Sequence, residues 1–239
     1  MKIIRLSETD STNRYLRQCV EGDEEVVVTA DFQTAGRGQG TNTWESERGQ
    51  NLLFSMRVGG QGVAVARQFL LSMAHALAVH EALSRYTGNV SIKWPNDIYW
   101  LDKKIAGTLI EVNVGRQGIS SLLIGTGINV NQEVFRSDAP NPVSLRQIVG
   151  HSVDREQLLH DIVESQQKYQ RMLAAGEYKQ IVGSYHERLY RREGYHPYRD
   201  AQVPFEARLE RVADDGRLLL IDKDGRHREY RFKEVQFII

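Results

Sequence analysis

The sequence predicts an α+β fold: a mixed, largely antiparallel sheet with helices packed on it, followed by a small all-β module. Three observations predict it. Three strand-like stretches, Val90 to Trp94, Ile105 to Val114 and Ser120 to Val130, follow one another in close order, the last two across a short glycine-containing turn, as antiparallel neighbours do. Helical periodicity then takes over from Asp154, and a run of strands followed by helices suits a sheet with helices on one face. From about Gly194 the texture changes to short alternating strands punctuated by Asp214-Asp215-Gly216 and Asp224-Gly225, both hairpin turns. The boundary falls there, giving residues 1–190 as a first domain and 191–239 as a second.

In chain order, Ile3-Ile4 opens a short apolar run. A helix is expected from about Ser11 to Val20, with Ser11 or Thr12 at its cap, and the β-branched run Val26 to Thr29 reads as a strand. Residues 34 to 50 are rich in Gly, Thr, Asn and Ser, too polar for a core element and longer than an ordinary connection. A strand follows near Leu52 to Arg57. A helix near Val65 to Tyr86 carries Phe69, Leu70, Met73, Leu77 and Leu83 at near-helical spacing, a stripe that reads as core. The later helical block runs from Asp154 to Leu173, with Leu158, Leu159, Ile162, Tyr169 and Leu173 on one side, and continues near Tyr178 to Leu189.

A chain of 239 residues with 41% hydrophobic side chains can bury a sizeable core. Its 31 Lys and Arg balance 31 Asp and Glu, so no overall field draws it to an anionic polymer or membrane surface. The single cysteine, Cys19, fits a reducing compartment, and the absence of a long apolar run or signal-peptide core makes the cytoplasm the expected location. The seven histidines show no zinc-site spacing.

Four segments carry candidate chemistry. In Ala35-Gly36-Arg37-Gly38-Gln39-Gly40, glycines let the backbone approach a ligand and turn N–H groups toward an anion, and Arg37 adds a fixed positive fork. No GK[ST] follows, and Thr41-Asn42-Thr43-Trp44 stands where a dinucleotide-binding helix would begin, so neither standard phosphate loop applies. A mobile surface loop is the plainer account of this segment alone. In Lys93-Trp94-Pro95-Asn96-Asp97, proline stops a strand and gathers an ammonium, an amide and a carboxylate at its end, groups able to meet phosphate and magnesium. Ordinary turn chemistry explains the turn but not the lysine. In the segment Lys103 to Glu111, alternation puts Ile105, Gly107 and Leu109 on one face. Gly107 offers bare backbone to a flat ligand there, and Lys104 projects at the ligand's edge while Lys103 faces solvent. Gly125-Thr126-Gly127-Ile128-Asn129 places two glycines in one strand, for close approach of a ligand or for a bulge.

Taken together and in this order, these segments resemble the biotin–protein ligase family, in its monofunctional form, over Ser11 to Asn129. Asp10-Ser11-Thr12-Asn13 resembles the family's helix start. Gln33 with Gly36-Arg37-Gly38 and Trp44 resembles its adenylate loop, and KWPND, KIAGTLIE and GTGIN resemble its remaining blocks. The resemblance implies a class II synthetase-like catalytic domain and a C-terminal Src-homology-3-like barrel. It implies that biotin's ureido ring meets Ser11, Thr12 and Gln33, with its tail passing Gly107, Gly125 and Gly127, and that Gly36 also belongs to the biotin site. Arg37 and Lys104 would face the biotin carboxylate and the ATP α-phosphate, with Lys93 adding charge. Gly38, Gln39, Trp44, Asn96 and Asn129 would hold ATP or the adenylate, Trp44 covering the adenine, and Asp97 would help hold Mg²⁺. The product would be biotinyl-5′-AMP, with biotin then passed to a lysine of a biotin carboxyl carrier protein or domain. The loop from Gly36 to Trp44, mobile without ligand, would close over the adenylate. No DNA or membrane partner is expected, and any homodimer would be weak.

The loop departs from the family's commonest pattern, which has basic residues where Gln39 and Asn42 stand. A lipoate or octanoate ligase shares fold and chemistry, but its arginine-rich, triple-glycine block ending in His-Asp is absent. Ten residues before Ser11 leave no room for a helix-turn-helix of the repressor type. A non-catalytic biotin-binding module would not need Arg37, Lys93, Asp97 and Lys104.

Overall fold

The computed structural model describes residues 1–20, 24–38, 40, 42–115, 118–137, 139–201 and 203–239. Gln39 lies outside them. Twelve strands and five α-helices are assigned among the described residues. The first sheet holds β1 (Lys2–Leu6), β2 (Val26–Ala30), β3 (Leu52–Gly59), β4 (Val90–Lys93), β5 (Asp97–Trp100), β6 (Lys103–Gly115) and β7 (Gly118–Ile128) in the order β1-β2-β3-β7-β6-β5-β4. Only β1 and β2 run parallel; the other pairs are antiparallel.

Helix α1 (Thr12–Cys19) starts after Ser11, which takes the N-cap position without a side-chain capping bond. Helix α2 (Phe69–Leu83) is preceded by a 3-10 turn at Val65–Arg67. It buries thirteen of its fifteen residues, so it is the central helix of the core rather than a one-sided amphipathic one. α3 (Leu145–Val149) begins with a capping box between Ser144 and Gln147. α4 (Arg155–Ala174) is capped by Asp154, whose carboxylate accepts from the Glu156 and Gln157 amides. α5 is Tyr178–Glu187. The sequence reading missed β5, which it took for a turn, and the short α3.

Helices do not all lie on one face. Strand alternation sends Val27 of β2 into the main core with α2, α4 and α5. Val26 and Val28 point the other way and pack with Leu16 of α1 and Leu123 in a separate small cluster. Helix α1 therefore covers part of the opposite face, and the rest of that face is open to a cavity.

The second sheet holds β8 (His196–Asp200), β9 (Val203–Val212), β10 (Leu218–Asp222), β11 (His227–Tyr230) and β12 (Val235–Phe237) in the order β11-β10-β9-β8-β12. Gly216 and Gly225 adopt positive φ in the two hairpin turns read from sequence. The end strands β11 and β12 do not pair, so the expected barrel is not closed. This sheet joins the main hydrophobic core through Tyr198, Leu218, Leu220 and Val235.

Candidate active site

A cavity of about 1030 Å³ opens between the α1 face of the first sheet, the 36–44 loop and strand β12. At one end lies a chain of polar side chains. Gln33 Oε1 accepts from the Thr12 amide at 2.8 Å and the Thr12 hydroxyl at 3.0 Å, and Thr12 Oγ1 lies 2.7 Å from Ser55 Oγ. The Ser55 hydroxyl in turn donates to Asn13 Oδ1. Ser11, Thr12 and Ser55 are buried, yet each lines the cavity. Buried polar atoms next to a cavity are poised to bond a polar ligand head.

The glycines sit in register: Gly107 pairs with Gly127, and Leu109 with Gly125. Their bare faces are covered by protein. A Cβ on Gly125 would meet Asn13 Oδ1 at 2.5 Å, one on Gly127 would meet Trp44 Cε2 at 2.4 Å, and one on Gly107 would meet Trp44 Cζ3 at 3.0 Å. The flat group against this backbone is the Trp44 indole, and its Nε1 is buried with no partner among the described residues.

The loop is folded back on itself. Arg37 bridges Thr43, the Gly38 amide donates to the Asn42 carbonyl at 2.8 Å, and the Trp44 amide donates to the Gly36 carbonyl at 3.1 Å. Arg37, Gly38 and Asn42 line the cavity, Arg37 exposed to solvent; Gly36 is buried beneath Trp44.

Lys104 reaches the cavity for a reason that simple alternation misses. Strict alternation would set Lys104 on the face opposite Gly107. The pairing of β5 with β6 skips Ile105, so that Ile98 faces Ala106 and Tyr99 faces Lys104. In this bulge Ile105 and Ala106 both enter the core, and Lys104 is re-aimed to the side of Gly107, whose Cβ would lie 3.1 Å from Lys104 Nζ. Asp97 Oδ2 accepts from Lys104 Nζ at 2.7 Å, a half-buried ion pair. Asn129 does not line the cavity. Its amide N–H is bonded to the Ile105 carbonyl at 2.9 Å and its side chain donates to the Lys104 carbonyl at 3.4 Å, so it braces the bulge.

The KWPND segment ends β4 and begins β5, with Lys93 opposite Asp97. Trp94 Nε1 donates to the Gly216 carbonyl at 2.9 Å, and Tyr185 donates to the Pro95 carbonyl at 2.6 Å, which ties the turn to the second sheet and to α5. Asn96 lines the cavity while its amide donates to Ser72 Oγ at 3.4 Å. Burial pushes the Lys93 ammonium below its usual pKa; Asp97 opposes that shift and Lys104 adds to it. Among the described residues the acidic side chains that line the cavity are Asp97 and Asp102, and Asp102 accepts from Tyr190. One carboxylate fits magnesium held mainly by waters and substrate phosphates, and not a cation caged by protein. Among the described residues no group of three or more His, Cys, Asp or Glu is placed to hold a metal.

The structure thus brings together Ser11, Thr12, Gln33, Arg37, Gly38, Trp44, Lys93, Asn96, Asp97, Lys104, Gly107, Gly125 and Gly127 around one cavity. Sequence reasoning missed Ser55 and gave Asn13 no role. A lone hydroxyl inside the apolar run Leu52 to Val58 was the available signal for Ser55. It also missed Arg199 and Phe237 of the second sheet and Lys233 in the turn before β12, which line the same cavity.

The sequence model of the biotin/lipoate A/B protein ligase family matches residues 6–129. The chain is 33% identical over 164 residues to the bifunctional ligase/repressor BirA of Bacillus subtilis, a match covering 66% of this chain and 49% of that protein. The chain therefore spans about half the length of the bifunctional relatives it matches. It is 29% identical to the biotin–[acetyl-CoA-carboxylase] ligase of Paracoccus denitrificans over 92% of this chain and 95% of that one. Among solved structures, the biotin protein ligase of Aquifex aeolicus in complex with biotin and ATP superposes with a TM-score of 0.82 at 25% identity, covering 99% of each chain.

Proposed function

The chain belongs to the biotin/lipoate A/B protein ligase family, and from that membership we propose that it is an ATP-dependent biotin–protein ligase. The observation that carries this reading is the cavity itself. One end presents the buried Thr12 and Ser55 with the half-buried Gln33 and Asn13, a set suited to a polar ring head, and the other presents Arg37, Lys93 and Lys104, suited to anions. A buried polar head in such a slot confers specificity, because an analogue without the ring's donors and acceptors would leave these groups unpaired.

In this mechanism a biotin carboxylate oxygen attacks the α-phosphorus of ATP, the bond to the β-phosphate oxygen breaks, and pyrophosphate leaves. Two anions must approach, so the main catalytic need is neutralisation. Lys104, aimed by the Ile105 bulge and steadied by Asp97, would neutralise them at the reacting end. Arg37 serves from the loop and Lys93 from the end of β4. Magnesium bound to the phosphates would be held through Asp97 and would add further positive charge there. The resulting mixed anhydride is hydrolysable, and the segment that carries Arg37 and Trp44, once the indole has been lifted from the glycines, would close over it and exclude water. A lysine amine of a biotin carboxyl carrier then attacks the acyl carbon and expels AMP.

Pyrophosphate exchange into ATP, run with biotin, lipoate and octanoate in parallel, tests the proposal. Exchange that requires biotin and magnesium is expected. Exchange with lipoate but not biotin would replace this assignment by a lipoate ligase.

A further inference from the structure

The Lys93 ammonium is held in an unusual way. It lies 4.7 Å from the ring centre of Phe237 and 5.3 Å from that of Tyr99. No ion pair joins it to a carboxylate among the described residues, because Asp97, its partner across the β4–β5 pairing, bonds Lys104 instead. Phe237 comes from β12 of the second sheet, packed against Tyr198 at 5.0 Å and Tyr190 at 6.3 Å, while Tyr190 packs on Tyr99 at 5.4 Å. Lys93, Tyr99 and Phe237 all line the cavity.

A carboxylate would fix a lysine too, but it would engage part of its N–H set, as Asp97 does on Lys104. Aromatic faces attract a cation through the ring quadrupole and leave all three donors free. We propose that Phe237 is a positioning residue: with Tyr99 it forms an aromatic seat that holds Lys93 charged and undonated for the ATP phosphates, so the second sheet completes the active site. The inference rests on the assignment of Lys93 to those phosphates. It also gives the second sheet a task that neither its hairpin turns nor its composition reveals.

The test uses the full chain, with pyrophosphate exchange for kcat and the KM for ATP, calorimetry for biotin affinity, and thermal unfolding. Phe237→Leu keeps an apolar side chain and removes the quadrupole. It is expected to lower kcat/KM for ATP about tenfold while biotin affinity stays within about twofold, and Phe237→Tyr is expected to restore it. Lys93→Met is expected to lower the same quantity further, and Phe237→Leu added to it should cost nothing more. Stepwise fluorination of Phe237 keeps the packing while draining the ring's negative face, and should lower kcat/KM for ATP in proportion even if Phe237→Leu folds poorly. Full activity in Lys93→Met would overturn the assignment of Lys93 and this inference with it. Impaired Lys93→Met combined with an undiminished effect of Phe237→Leu in that background, or with no trend on fluorination, would overturn the aromatic seat alone.

Discussion

The indole of Trp44 rests on Gly127 so closely that a methyl group there would come within 2.4 Å of Cε2 and 2.6 Å of Nε1. The stretch of backbone proposed for biotin's tail is therefore covered by the protein's own aromatic ring. Nε1 is buried with no partner among the described residues, and an unsatisfied donor costs roughly 1–3 kcal/mol. A ligand that lifts the indole off the glycines lets that donor find a partner, and this offsets part of the work of opening the slot.

Gly127→Ala should drive Trp44 from its seat or shift β7. Overpacking of this kind costs about 1–3 kcal/mol of stability, and Trp44 emission should move to the red as the ring meets water. Trp94 and Trp100 also emit, so the Trp44 signal is taken as the difference from Trp44→Phe. Unchanged emission and unchanged biotin affinity in Gly127→Ala would show that the indole does not sit on this glycine.

Lys104→Ala should lose far more activity than Lys103→Ala. Both residues border the cavity, but only Lys104 is re-aimed by the bulge and held by Asp97. Loss of a positioned charge beside a developing phosphorane is worth about 3–4 kcal/mol, two to three powers of ten in exchange rate. Comparable rates for the two variants would remove Lys104 from the chemistry.

His75 sets an acid limit on stability. It is buried in α2 between Gln166 of α4, 2.9 Å away, and Thr126 of β7, also 2.9 Å away, under the glycine strand. Burial lowers its pKa from 6.5 to about 4, with the Gln166 bond opposing the shift. The unfolded chain therefore takes up a proton that the folded chain refuses. Stability from this group is complete above pH 6.5, falls as pH drops from 6.5 toward 4, and levels off below, for a loss on the order of 3 kcal/mol. Urea unfolding across that range should show the decline, and His75→Gln should flatten it. An equal slope in the variant would mean that other groups carry the acid sensitivity.

The blocks gathered around the cavity were legible because each is local. The Thr12 helix start, the glycine loop, KWPND and the two glycine strands are short runs whose residue types and order state what they can bind, and the periodicity of neighbouring stretches placed them on helices, strands or turns. Most of the core was legible for the same reason, since apolar spacing reports which side of a strand or helix is buried.

From the sequence alone came the α+β class, the C-terminal all-β module, the family resemblance and the identity of the cations. Tertiary structure alone decided how those cations are aimed and what touches them. The face used by Lys104 depends on a one-residue slip between β5 and β6, which alternation within β6 cannot reveal. The covering of Gly125 by Asn13 and of Gly127 by Trp44, and the arrival of Phe237 beside Lys93, join residues more than 80 positions apart. Such contacts are set by how sheets and loops pack. Local propensity describes one segment at a time, and it holds no information about which distant segment will close over it.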